Sequence, residues 1–186
     1  MKYLSVLACI ILLFGATNAG EFGPALGGDT YVDAEDEDEN FAAEDTMWAT
    51  SVDDDPVREV YLSFVSVYGK TPEEIEAATL KMHVAGVDKK GNVSAYFCNS
   101  QKVEDTLTWN NKPDYNEENV STEEIEDVGW CTWDATDILK EAAEECETCP
   151  FMIVLVAEDD ASIEFTSSDG DEELQAELKF TTSDEL

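Results

Sequence analysis

Ala78-Thr79-Leu80-Lys81-Met82-His83-Val84 carries an apolar side chain at every second position and a more polar one between. In an extended chain successive side chains point to opposite faces, so a period of two makes one face apolar and the other wettable. That is the pattern of a half-buried antiparallel strand. The alternation recurs on both sides of this stretch. Val60, Leu62 and Phe64 alternate with Glu59, Tyr61 and Ser63; Val93, Ala95 and Phe97 follow; Ala176, Leu178 and Phe180 alternate with Glu177, Lys179 and Thr181. Phe151 to Val156 is apolar on both faces, which suits a central strand. Turn-forming residues separate these runs at Asp88 to Asn92, Asn110 to Pro113 and Ser167 to Gly170. One helix is expected over Thr136 to Glu145, with Thr136 as its cap and Ile138, Leu139, Ala142 and Ala143 on its apolar face. Many short strands, one short helix and no internal repeat predict an all-β fold, an antiparallel β-sandwich of jelly-roll type.

Charge narrows the partners. The chain has 186 residues with 44 Asp and Glu against 10 Lys and Arg, a formal charge of −34. Its 43% hydrophobic content is enough for one domain with a real core. No basic stripe exists to neutralise phosphates, so nucleic acid and insertion into or adhesion to anionic membranes are excluded as partners. Metal cations, basic partners, neutral glycans or plain solubility remain favoured.

The two ends read as addresses. Lys2, the apolar run Leu4 to Phe14 and the small residues up to Ala19 form a secretory signal peptide, residues 1–19. A Gly-rich segment, 20–28, precedes a sandwich domain expected over 29–182. The terminal Ser183-Asp184-Glu185-Leu186 is similar to retrieval signals of the endoplasmic reticulum. The expected location is therefore the secretory pathway, either extracellular or retained in that lumen. Asn92-Val93-Ser94 and Asn119-Val120-Ser121 are sequons, which makes Asn92 and Asn119 the expected glycosylation sites. Cys98, Cys131, Cys146 and Cys149 are an even set in an oxidising compartment and read as two disulfides, with three connectivities open. The pairing expected here is a local Cys146–Cys149 bridge and a Cys98–Cys131 bridge between strands. Glu144, Glu145 and Glu147 crowd the Cys146-x-x-Cys149 motif and disfavour a redox thiolate, which leaves a lumenal redox factor as the weakest of three readings. Zinc would need a closed ligand set, and only this one pair has suitable spacing.

Several segments carry a family resemblance. Asp29-Thr30-Tyr31-Val32, Arg58 to Phe64 and Ala77 to Met82 occur in order, followed by Thr106-Leu107-Thr108-Trp109-Asn110-Asn111-Lys112-Pro113 and Gly129 to Thr136. Together they resemble the DNRLRE-domain family, also classed as carbohydrate-binding module family ninety-six, with Thr-Trp-Asn-Asn-x-Pro as the most specific piece. The resemblance implies a non-catalytic β-sandwich found on secreted enzymes and surface proteins, some members of which bind polysaccharide. Two segments depart from the family pattern. Asn40-Phe41-Ala42 stands where Asn-Tyr-Gly is usual, and Ser167-Ser168-Asp169 stands where Ser-Arg-Glu is usual. Arg58 is the only arginine, so the cationic contacts that an acidic polysaccharide needs are scarce.

Sugar rings stack on aromatic faces while amides and carboxylates take their hydroxyls. Trp48, Trp109, Trp130 and Trp133, with Tyr31, Tyr96 and Tyr115, are the available aromatics. Trp109 and Trp133 sit in family segments and are expected in the core, whereas Trp48 and Tyr115 are the expected ligand-binding residues. Calcium is the cofactor that the acidic stretches would take, through Asp33, Asp36 and Asp38 or through Asp53, Asp54 and Asp55. A single histidine, His83, rules out a histidine-based triad, and no carboxylate pair stands out, so no enzyme activity is expected. The reading is a secretory-pathway module recognising glycan or polysaccharide. The alternative is an acidic calcium-binding, matrix or scaffold protein without sugar specificity.

Overall fold

The computed structural model describes residues 20–102 and 104–183. The segment read as a signal peptide, 1–19, and the last three residues of the terminal tetrapeptide lie outside them. Eleven antiparallel strands are arranged as two layers. The first sheet is built on β5 (Ile75–Lys89), the longest strand. One edge of β5 pairs with β8 (Gly129–Asp134). The other edge pairs first with β11 (Glu177–Thr182) and then with β10 (Ser162–Thr166), and β3 (Thr46–Val52) lies beyond β10. The short β1 (Gly20–Phe22) extends β11. The second sheet runs β2 (Leu26–Asp33), β4 (Asp55–Phe64), β9 (Phe151–Ala157), β6 (Gly91–Cys98), β7 (Asn116–Ile125). The tight β3–β4 hairpin joins the layers at one corner, with Val52 opposite Asp55.

Alternation decides which side chains meet between the layers. Leu80, Met82 and Val84 of β5, Ile163 and Phe165 of β10 and Met47 and Ala49 of β3 face Val60, Leu62, Phe64, Ile153 and Leu155 of the second sheet in one continuous core. Trp133 on β8 is fully buried there, and its Nε1 donates to the Val93 carbonyl at 2.9 Å, tying one layer to the other. The expected all-β sandwich with one short helix is therefore the fold. The helix α1 (Thr136–Cys146) buries Ile138, Leu139, Ala142 and Ala143 against the main core, as its pattern predicts. It begins at Thr136 as expected, but its cap differs. Ala135 is the N-cap, and Thr136 is the first helical residue. The Thr136 hydroxyl accepts from the Ala78 amide at 2.9 Å and donates to Asp134 Oδ1 at 2.5 Å, so it anchors the helix to β5 instead of capping it.

Cys146 and Cys149 are disulfide-bonded, with Cα atoms 5.3 Å apart, but the expected Cys98–Cys131 bridge is absent. The register explains why. Cys98 ends β6 with its side chain on the outer side of the second sheet, among Val32, Tyr61, Leu107 and Met152. Cys131 lies on β8 in the other sheet and packs against the main core, its thiol turned to the Met82 carbonyl at 3.5 Å. The two side chains point into different layers, and no bridge geometry joins them without moving a strand. Burial pushes each thiol up to about 12, so both stay protonated and weakly reactive at neutral pH.

Candidate functional site

Each sheet has an outer face, and the two differ in what covers them. Over the second sheet, the segment between β6 and β7 folds back and builds a second, smaller core. Leu107, Trp109 and Tyr115 from that segment pack on Val32, Tyr61, Met152, Val154 and Val156. The polar groups trapped beneath it are paired. Glu59, 2% exposed, takes the Tyr61 hydroxyl on Oε2 at 2.9 Å and Lys112 Nζ on Oε1. The same Lys112 ammonium lies 3.7 Å from the centroid of Trp109. Tyr115 stacks on Tyr96 with centroids 4.8 Å apart, and Ser94 donates to Glu158. Burial, with Glu59 as the nearest charge, raises the hydroxyls of Tyr61 and Tyr115 well above the ordinary tyrosine range. The signature Trp109-Asn110-Asn111 thus serves to fasten this cover. Tyr115, expected to be open in a polar loop, is half-buried with one ring face occupied.

The first sheet presents its outer face without such a cover of aromatics. Register places Trp130 and Thr132 of β8, Lys81 and His83 of β5, Glu164 and Thr166 of β10, Glu177 of β11, and Thr46 and Trp48 of β3 on that one side. Trp130 is 42% exposed and Trp48 half-buried, one on each flank. Three interstrand steps separate their strands, about 14 Å. Between them the surface is built from short polar groups. His83 Nδ1 and Thr166 Oγ1 are 3.0 Å apart, the His83 ring meets Trp130 edge-on at 5.3 Å, and Thr46 donates to Glu164 Oε1 at 2.8 Å. The Lys81 ammonium is 3.7 Å from the Trp130 centroid and 3.9 Å from Glu177, which Lys179 also approaches at 3.4 Å. Of the two residues expected to bind ligand, Trp48 lies on this face and Tyr115 on the opposite side of the sandwich, so the structure does not bring them together. Trp130 was not singled out in the sequence. Its alternation partner Trp133 is buried, and that contrast within Gly129–Asp134 is the signal that marks it.

The two segments that depart from the resembled pattern meet at one edge of the molecule. Asn40 and Ala42 line a cavity of about 400 Å³ with Gly27, Asp29, Ser168 and Asp169. Asp29 is 2% exposed and accepts from the Ser168 amide at 2.9 Å, from the Ser168 hydroxyl at 2.9 Å and from the Ser167 hydroxyl at 3.2 Å. Burial raises its carboxyl above the usual aspartate range, and these bonds only partly offset it. Gly170 closes that loop, where a Cβ would meet the Asp45 carbonyl at 2.6 Å.

The acidic stretches do not converge. Asp33 is ion-paired with Arg58 at 2.5 Å and caps the Glu35 amide at 2.8 Å. Asp38 accepts from Asn110 at 2.9 Å, whereas Asp53 and Asp54 form the left-handed turn before Asp55 and β4. Asp36 shares the Ala34–Glu39 loop without joining a chelating set. Among the described residues, no three His, Cys, Asp or Glu side chains are grouped so as to hold a metal ion. Both sequon asparagines are half-buried, Asn92 donating to Asp159 at 2.8 Å and Asn119 to Glu141 at 2.9 Å. Most of the basic side chains are neutralised locally: Arg58, Lys70, Lys81, Lys89, Lys90, Lys112 and Lys179 each lie 2.5–3.9 Å from a carboxylate. No curated protein matches the chain. A family model matches residues 25–182, which is the two-layer sandwich from β2 to β11, and on that match the chain belongs to carbohydrate-binding module family 96.

Proposed function

We propose that this chain is a non-catalytic glycan-binding module of the secretory pathway, and that glycan lies across the outer face of the first sheet between Trp130 and Trp48. Family membership supports glycan as the ligand class. The observation that carries the choice of face is Trp130, a large apolar ring 42% exposed on the outer side of the sheet. Burying an exposed indole against the apolar face of a sugar gains the area removed from water, and the ring costs little side-chain entropy to hold. Thr46, Thr132, His83 and Glu164 lie within the same face and supply donors and acceptors to sugar hydroxyls. A face about 14 Å wide seats a short oligosaccharide instead of a single sugar. The second sheet offers less: a lysine covers one ring face of Trp109 as of Trp130, but Trp109 and Tyr115 are part of the smaller core and less exposed than Trp130.

The signal-peptide reading of residues 1–19 and the terminal tetrapeptide support a secretory setting. A panel of soluble polysaccharides screened by affinity electrophoresis tests the function. Trp130→Ala and Trp48→Ala should each weaken a hit by about tenfold or more, in line with the loss of an aromatic anchor from a binding surface. Trp109→Phe should leave it unchanged. Retarded migration that survives loss of both Trp48 and Trp130 would move the site off this face.

A further inference from the structure

The two tryptophans of the first sheet have different companions. Trp130 is served by a cation from the chain itself, since the Lys81 ammonium sits 3.7 Å from its ring centroid and 3.9 Å from the Glu177 carboxylate. Trp48 also has a carboxylate beside it, because Glu164 is its direct partner across the β3–β10 pair. Here the chain supplies no cation: no lysine of the described residues pairs with Glu164 or lies over Trp48. Glu164 is held in place all the same. Its Oε1 accepts from Thr46 at 2.8 Å, while Oε2 lies over Gly86, where a Cβ would come within 2.6 Å of it. Any side chain at residue 86 would push the carboxylate from this position. Oε2 accepts no hydrogen bond from a described residue.

We infer that the Trp48–Glu164 pair receives an ammonium group from the ligand, and that the glycan this face prefers is one carrying free amino groups, a polymer of deacetylated hexosamine. The inference rests on the reading of this face as the glycan platform. An indole beside a carboxylate attracts an ammonium twice, through the ring quadrupole and through a charge-assisted hydrogen bond. The Lys81 arrangement one sheet-width away shows the same pair of groups satisfied by the chain. The net charge of −34 works in the same direction, concentrating polycations near the surface and repelling uronate polymers.

The test compares three oligomers of equal length by titration calorimetry at a pH where the amines are protonated: a glucosamine oligomer, its fully N-acetylated form and a uronate oligomer. The glucosamine oligomer should bind about tenfold or more tighter than the acetylated one, the usual worth of a hydrogen bond to a charged group. The uronate should not bind. Glu164→Gln should remove that preference, bringing the glucosamine oligomer to the affinity of the acetylated one, with the melting temperature unchanged. Equal affinity for amine and acetylated oligomers, still lost in Trp48→Ala, would overturn the inference and leave the platform standing. A preference for amine that persists in Glu164→Gln would also overturn it, assigning the effect to the diffuse field alone. Insensitivity of all binding to Trp48→Ala and Trp130→Ala would remove the platform and the inference together.

Discussion

Asp29 shows how one buried side chain holds the chain ends of this sandwich in register. It sits on β2 and, among the described residues, is bonded to the Ser167–Ser168 loop that leads from β10 to β11. Burial raises its carboxyl from the unfolded value of 3.8. The folded state therefore holds the proton at a higher pH than the unfolded chain does. Its contribution to stability is fullest below 3.8 and is lost as pH rises through the folded value. Asp29→Asn keeps the shape and removes the titration. The melting temperature of that variant, relative to the unmodified protein, should become more favourable from about pH 4 to about pH 7. A difference that stays flat over this range would show that Asp29 does not titrate as its burial requires. The resemblance placed Asp29 at the start of a family segment, yet its partner was illegible, because Ser167 and Ser168 lie 138 and 139 positions away in sequence.

At the scale of elements, the cover over the second sheet depends on a buried ion pair more than on its own secondary structure. Among its described residues, the segment between β6 and β7 contains two short 3-10 turns, Glu104–Thr106 and Trp109–Asn111. Lys112 fastens it by bonding Glu59 beneath and stacking on Trp109 beside it. Lys112→Met should cost about 3–5 kcal/mol, because it leaves a buried carboxylate without its counter-charge. Pairing it with Glu59→Gln should recover much of the loss, and equal losses in the single and double variants by chemical denaturation would contradict the pairing. Which elements could be read in the sequence follows from how they are buried. The strands β4, β5, β6, β9 and β11 alternate or are wholly apolar because they line the main core. The edge strand β7, Asn-Glu-Glu-Asn-Val-Ser-Thr-Glu-Glu-Ile, buries only Ile125 and has no apolar face to betray it. The helix was legible from Thr136 to within one residue of its C-terminal end, but the role of Thr136 was not, since the bond that engages it comes from Ala78 in a distant strand.

At the scale of the whole molecule, a charge of −34 is carried on a sandwich with one dry core between its sheets and a second under a loop, which leaves one broad face open to a ligand. Composition argued against nucleic acid and anionic membranes, and the aromatic content pointed to stacking. The site itself was only half legible. Trp48 was expected to bind ligand while Trp130 was counted only among the available aromatics, because period-two alternation shows that Trp130 and Trp133 face opposite ways and not which of them faces water. That sorting comes from the pairing of β8 with β5, which turns Trp133 toward Val93 and Trp130 toward His83. The four tryptophans therefore report directly on the site, since each indole N–H gives its own signal in a nitrogen–proton correlation spectrum. During titration with an oligosaccharide that binds, the Trp48 and Trp130 indole signals should shift together, while those of Trp109 and Trp133 stay in place. Movement of the Trp109 signal with Trp48 and Trp130 unmoved would place the ligand on the second sheet and contradict the account.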